Sequence, residues 1–126
     1  MLESLIKNDS SDDQRRSVRY EIPNLVAHYW TGFAQADSPV RNISADGMYI
    51  YADVPLYPGT AITMTLQKKT GEEYEEWITV QAMVVYRDPK GMGVRFAFPE
   101  KVSQPDSSLA GRKSFEKFMR ILTGEE

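Results

Sequence analysis

Apolar residues recur at every second position in three stretches of the chain, and that period limits the fold more than any other feature. Ile62, Met64 and Leu66 alternate with Ala61, Thr63 and Thr65. Ile78, Val80, Ala82, Val84 and Tyr86 share one face of the stretch that starts at Trp77, and Met92, Val94, Phe96 and Phe98 share one face of the next. Successive side chains of a strand point to opposite faces, so a period of two buries one face and wets the other. Thr70-Gly71 and Asp88-Pro89-Lys90-Gly91 separate these runs with the residues that tight turns favour. Strands joined by short turns with no helix between them read as an antiparallel sheet closed into a small barrel or sandwich.

Three further strands come first, near Leu25 to Gln35, Ser38 to Ile43 and Met48 to Ala52; the last leads into the turn Pro55-Leu56-Tyr57-Pro58-Gly59. The expected fold class is therefore mainly β, with about six antiparallel strands. The last element has a different period. Phe115, Phe118, Met119 and Leu122 form the stripe of an amphipathic helix over about 107–123. Asp106, Ser107 or Ser108 can cap its start and Gly124 can end it. Its expected place is over an open end or face of the barrel. The expected division is a flexible, polar arm over residues 1–13 and one domain over 14–123, its barrel occupying about 20–100.

A chain of 126 residues suffices for one domain with its own core and is too short for two ordinary ones. The 15 Lys and Arg are outnumbered by 18 Asp and Glu, whereas domains that grip nucleic acid by its backbone usually carry a basic excess, so no long nucleic acid is expected as partner. The absence of Cys excludes disulfides, thiolate nucleophiles and Cys-ligated metal, and a single histidine, His28, excludes two-His sites. No metal or cofactor is expected. No run approaches the roughly 20 apolar residues of a membrane span. The opening MLESLIKNDSSDD lacks both the cationic start and the apolar stretch of a secretory signal. A cytoplasmic protein without membrane insertion is the expectation.

Two short patterns carry candidate chemistry: the arginine cluster Arg15-Arg16-Ser17-Val18-Arg19 before the first strand, and Asn42-Ile43-Ser44-Ala45-Asp46-Gly47 between the second and third. Either alone is ordinary, the first as a solvated patch and the second as turn chemistry. Together they suit a small anionic guanine nucleotide. Guanidinium is a planar fork for phosphate and for the O6/N7 edge of guanine. Asn offers a carbonyl and an amide to the Watson–Crick edge, Ser a hydroxyl, and Gly a close approach to backbone. Catalytic alternatives are thin. Glu72, Glu73, Glu75 and Glu76 sit at a hairpin tip where charge serves solubility, Ser44 is in no nucleophile elbow, and His28 lies in a strand pattern as a satisfied barrel or surface residue. No G-x-x-x-x-G-K-S/T loop is present. No enzyme is expected.

On these residues the sequence resembles the PilZ domain family, bacterial receptor modules for cyclic di-GMP. That family pairs R-x-x-x-R on an N-terminal loop with D/N-x-S-x-x-G on the barrel. Arg15 and Arg19 match the first, and Asn42, Ser44 and Gly47 match the second. Gly91-Met92-Gly93-Val94-Arg95-Phe96 is similar to the family's closing strand. The resemblance implies a six-stranded antiparallel PilZ-type barrel with a C-terminal helix. It implies that Arg15 and Arg19 clamp phosphates and guanine edges with Arg16 as a further phosphate contact, that Asn42 and Ser44 bond a guanine, and that Gly47 leaves room beside it. Arg41 and Arg95 add positive potential. The implied function is a stand-alone cyclic di-GMP receptor, monomer or homodimer, whose arginine arm moves on binding and relays the signal to a downstream effector protein. The alternatives are a degenerate PilZ-like interaction module that binds no nucleotide, and an OB-like single-strand binder using Trp30, Trp77, Tyr49 and Tyr51 as stacking platforms.

Overall fold

A computed structural model describes residues 18–69, 75–99 and 109–124. Six strands follow one another: β1 (Leu25–Trp30), β2 (Gln35–Ile43), β3 (Gly47–Tyr51), β4 (Ala61–Lys69), β5 (Glu75–Asp88) and β6 (Gly91–Phe96); one helix, α1 (Arg112–Thr123), comes last. Every strand pair is antiparallel, and the order β1-β2-β3-β6-β5-β4 closes on itself through the β1–β4 pair. Closure removes the exposed edges that an open sheet would leave for aggregation. The inward faces supply the core: Ala27, Ile43, Ile50, Leu66, Val80, Val84 and Met92 are wholly buried. Leu66, Val80, Val84 and Met92 are among the residues that the two-residue period singles out in β4, β5 and β6.

The structure departs from the sequence reading in three places. The stretch from Leu25 to Gln35 is a hairpin, not one strand. The Thr31 amide donates to the Ala34 carbonyl at 2.9 Å, and the Thr31 hydroxyl accepts the amides of Phe33 and Ala34 at 3.2 and 3.1 Å. Gly32, at φ 105°, takes the left-handed position that the turn needs. Tyr86 is half exposed instead of facing inward, because the β5–β6 register shifts between Val84 and Tyr86 and turns both Val85 and Tyr86 outward. The helix starts at Arg112, later than the expected start near 107, with Gly111 at its N-cap and no side-chain cap; the cap candidates Asp106, Ser107 and Ser108 lie outside the described residues.

Gly124 ends the helix as expected, at φ 79°. Phe115 and Phe118 bury the helix's apolar stripe, with the Phe115 ring centroid 4.6 Å from Phe96 and 5.2 Å from Phe98. The Ala110 amide donates to the Thr79 carbonyl at 2.9 Å, which seats the entry to the helix on β5. His28 bridges the outer wall, Nδ1 2.8 Å from Asp37 and Nε2 2.9 Å from Gln67. Among the described residues no helix is long and apolar enough to cross a membrane.

Candidate functional site

The three-residue turn between β2 and β3 is built by one side chain. Ser44 is fully buried. Its hydroxyl accepts the amides of Asp46 and Gly47 at 3.1 and 3.2 Å and donates to the Gly47 carbonyl at 3.3 Å, while its own amide reaches the same carbonyl at 2.8 Å. Such side-chain-to-backbone bonds are why Ser recurs in turns. The structure thus places the Ser44 hydroxyl inside the turn, where it fixes the loop that follows Asn42. Gly47 also has a reason within the fold. A Cβ there would lie 2.2 Å from the Val94 carbonyl oxygen and 3.3 Å from the Arg95 Cα, so only glycine lets β3 approach β6 at this level.

The arm meets the barrel just before that turn. Tyr20 and Ile43 exchange both backbone hydrogen bonds, at 2.8 and 2.9 Å, and extend β2 by one rung. Arg19, one residue before the rung, is exposed, and its Nη1 donates to the Asn42 side-chain carbonyl at 2.7 Å. Arg19 and Asn42 are therefore brought together. Arg15 and Arg16 lie outside the described residues.

Asn42 has a neighbour that the sequence pattern does not suggest. The β2–β3 register shifts between Val40 and Asn42: Val40 opposes Ile50, and Asn42 opposes Tyr49. A bulge puts two consecutive residues on one face. Here Val40 and Ile43 are buried while both Arg41 and Asn42 face outward. The Arg41 guanidinium lies over the Tyr49 ring, 5.6 Å from its centroid. The Tyr49 hydroxyl donates to Asp88 at 2.6 Å, and the same carboxylate oxygen accepts the amides of Lys90 and Gly91, each at 2.9 Å. Burial, then this bond to Asp88, pushes the Tyr49 hydroxyl up to about 12. The bond from Tyr49, joined by that from the Lys90 amide, holds the Asp88 carboxyl below its ordinary value. One signal of the bulge is legible in the sequence: Val40 and Ile43 are three positions apart in a strand that otherwise alternates.

The Tyr49 row continues across the wall. Tyr49 opposes Gly93, and Gly93 opposes Tyr86. The Tyr86 ring covers Gly93, where a Cβ would meet it at 2.1 Å, and lies 6.2 Å from the Tyr49 ring. Arg95 is exposed on β6 opposite Gly47, so Arg19, Arg41 and Arg95 all present cations around the motif turn. Arg87, by contrast, is drawn over the Tyr57 ring at 4.4 Å. Trp30 and Trp77 are exposed but belong to the β1 and β5 outer wall, away from this row. Among the described residues no group of His, Cys, Asp and Glu could hold a metal ion.

Comparison with known proteins follows the same lines. The family model described as PilZ domain matches residues 13–110. Among solved structures the chain is similar to the Bacillus subtilis inhibitor of motility, MotI/DgrA, with a TM-score of 0.56 and 16% identity; 89% of this chain and 53% of that one are covered. The chain thus spans about half the length of that protein, and at this identity the likeness is one of fold. No curated protein matches the chain in sequence.

Proposed function

The chain belongs to the PilZ domain family, and from that membership we propose that it is a receptor for cyclic di-GMP, a binding module and not an enzyme. The observation that carries this reading is the 2.7 Å bond between Arg19 and Asn42, which joins one residue of each motif on one outward patch. In the proposed complex Arg19, with Arg15 and Arg16 of the arm, binds phosphate oxygens and the O6/N7 edge of guanine. Guanidinium carries five donors, so the bond to Asn42 leaves it ample capacity. Asn42 bonds the Watson–Crick edge. Ser44 and Gly47 act through the turn, Ser44 by holding it closed and Gly47 by letting it sit against β6. Binding gathers the arginines against the barrel, and arm and nucleotide together form the surface that a downstream effector protein reads, an order–disorder relay.

Calorimetric titration with cyclic di-GMP tests the reading and yields stoichiometry. Charge-assisted bonds contribute about 1.5–3 kcal/mol each, so Arg19→Ala should weaken binding roughly ten-fold to a hundred-fold. Cyclic di-AMP should compete poorly, because adenine has an amino donor where guanine has O6 and lacks the exocyclic N2 donor. No heat of binding by the folded wild-type protein would return the chain to the interaction-module alternative.

A further inference from the structure

We propose that Arg41, outside both motifs, is a further ligand-contacting residue, its guanidinium plane stacking on a purine base of the nucleotide held at Asn42. The inference rests on the receptor reading above and adds a contact to it. Three observations support it. The β2 bulge turns Arg41 and Asn42 to the same face, whereas regular alternation would send one of them inward. A group bound at Asn42 therefore has Arg41 as its immediate neighbour. Next, Arg41 is carried on a support, with the Tyr49 ring 5.6 Å beneath its guanidinium carbon. That ring is anchored through Asp88 to the backbone of Lys90 and Gly91. A guanidinium so held loses less freedom when a ligand arrives than one on a free side chain. Last, the ring itself is not available: Tyr49 is 6% exposed, whereas Arg41 is exposed and among the described residues no carboxylate pairs with it. The accessible plane of this stack is thus the guanidinium. Unstacked bases are bound on aromatic rings and on arginine planes alike.

The contact depends on planarity as well as charge, which sets the test. Lysine keeps the charge at this position but has no plane. Cyclic di-GMP is titrated into the wild-type protein, Arg41→Lys and Arg41→Ala, with thermal melts confirming that each is folded. Stacking on one base is lost in both variants, so each should bind about five-fold to a hundred-fold more weakly than wild type. Arg41→Lys at wild-type affinity would overturn stacking, and both variants at wild-type affinity would overturn the contact altogether while leaving the receptor reading intact. Tyr49 is a positioning residue here. Tyr49→Leu should weaken binding in the wild-type background and add nothing in the Arg41→Ala background, because what Tyr49 supports is already gone. An additive loss would overturn its role, and if Tyr49→Leu does not fold, the two Arg41 variants decide. Failure of the wild-type protein itself to bind would overturn the receptor reading and this inference with it.

Discussion

Replacing Gly47 with alanine separates two reasons for a glycine at this position. On the motif resemblance, Gly47 leaves room for a guanine; in the structure it leaves room for β6. The added methyl would sit 2.2 Å from the Val94 carbonyl oxygen and 3.2 Å from its carbon, and both are backbone, so no side-chain rotation relieves the contact. The strands must part at the rung where Gly47 faces Arg95. Overpacking of this kind costs about 1–3 kcal/mol. The neighbouring bond from the Phe96 amide to the Asp46 carbonyl, 2.8 Å, and that from the Gly47 amide to Ser44 lie beside the displaced rung. At about 0.5–1.5 kcal/mol each, their loss brings the expected destabilisation to roughly 2–6 kcal/mol. The fall in Tm for a domain of this size is then about 8–25 °C. Thermal and urea unfolding followed by circular dichroism, with calorimetric binding on the same samples, would measure it. A Gly47→Ala protein as stable as wild type and deficient only in cyclic di-GMP binding would refute the argument and give the glycine to the ligand.

Alkaline titration should reveal Tyr49. Its folded-state value is raised from 10.0 to about 12, so it favours the fold fully below pH 10, and that contribution is lost as the pH climbs through 12. Melting temperatures between pH 9 and 12 should fall less steeply in Tyr49→Phe than in wild type, and parallel curves would remove the effect. Phe115→Ala should cost about 3–5 kcal/mol and loosen the helix from the barrel, because its ring is 1% exposed against Phe96 and Phe98; a loss below about 1 kcal/mol on urea unfolding would show the helix to be dispensable. Saturating cyclic di-GMP should slow tryptic cleavage after Arg15 and Arg16 and leave cleavage after Lys68 and Lys69 nearly unchanged; cleavage after Arg19 should change less, because Arg19 and Tyr20 are already bonded to Asn42 and Ile43. Equal rates with and without the nucleotide would end the relay mechanism.

The barrel was legible because apolar residues recur at every second position of its strands. Ile62, Met64 and Leu66 alternate with less buried neighbours, the period of a strand with one face in the core. Met92, Val94 and Phe96 keep the same period, although the Tyr86 ring also covers Gly93 on the outer face of β6. What escaped the sequence depends on contacts between distant segments. The hairpin at residues 31–34 hides because Thr31-Gly32 follows an aromatic run and Phe33, 92% exposed at the tip, imitates strand composition. The bulge in β5 hides because a register shift is a property of a strand pair and not of one strand, and the bulge in β2 leaves only the three-residue spacing of Val40 and Ile43 as a trace. The site shows the same division. Asn42 and Arg19 were legible as a motif and do meet. That Ser44 is buried within its turn and that Gly47 faces a carbonyl of β6 follows only from the closed sheet. Tyr49 and Asp88, far apart in the chain, gave no local signal of their bond.

The pairing of β3 with β6 bears on when the site comes into being. The turn from Ser44 to Gly47 closes through its own hydrogen bonds and can form as soon as those residues are synthesised. Its seat is Val94, which arrives only after β4 and β5 have been made and folded back, and closing so long a loop is slow and entropically costly. A chain interrupted before β6 would therefore carry both motifs in full and still lack the strand on which the turn rests. On the proposed function, binding would be a property of the finished ring, and an unfinished molecule would not draw the nucleotide away from finished ones.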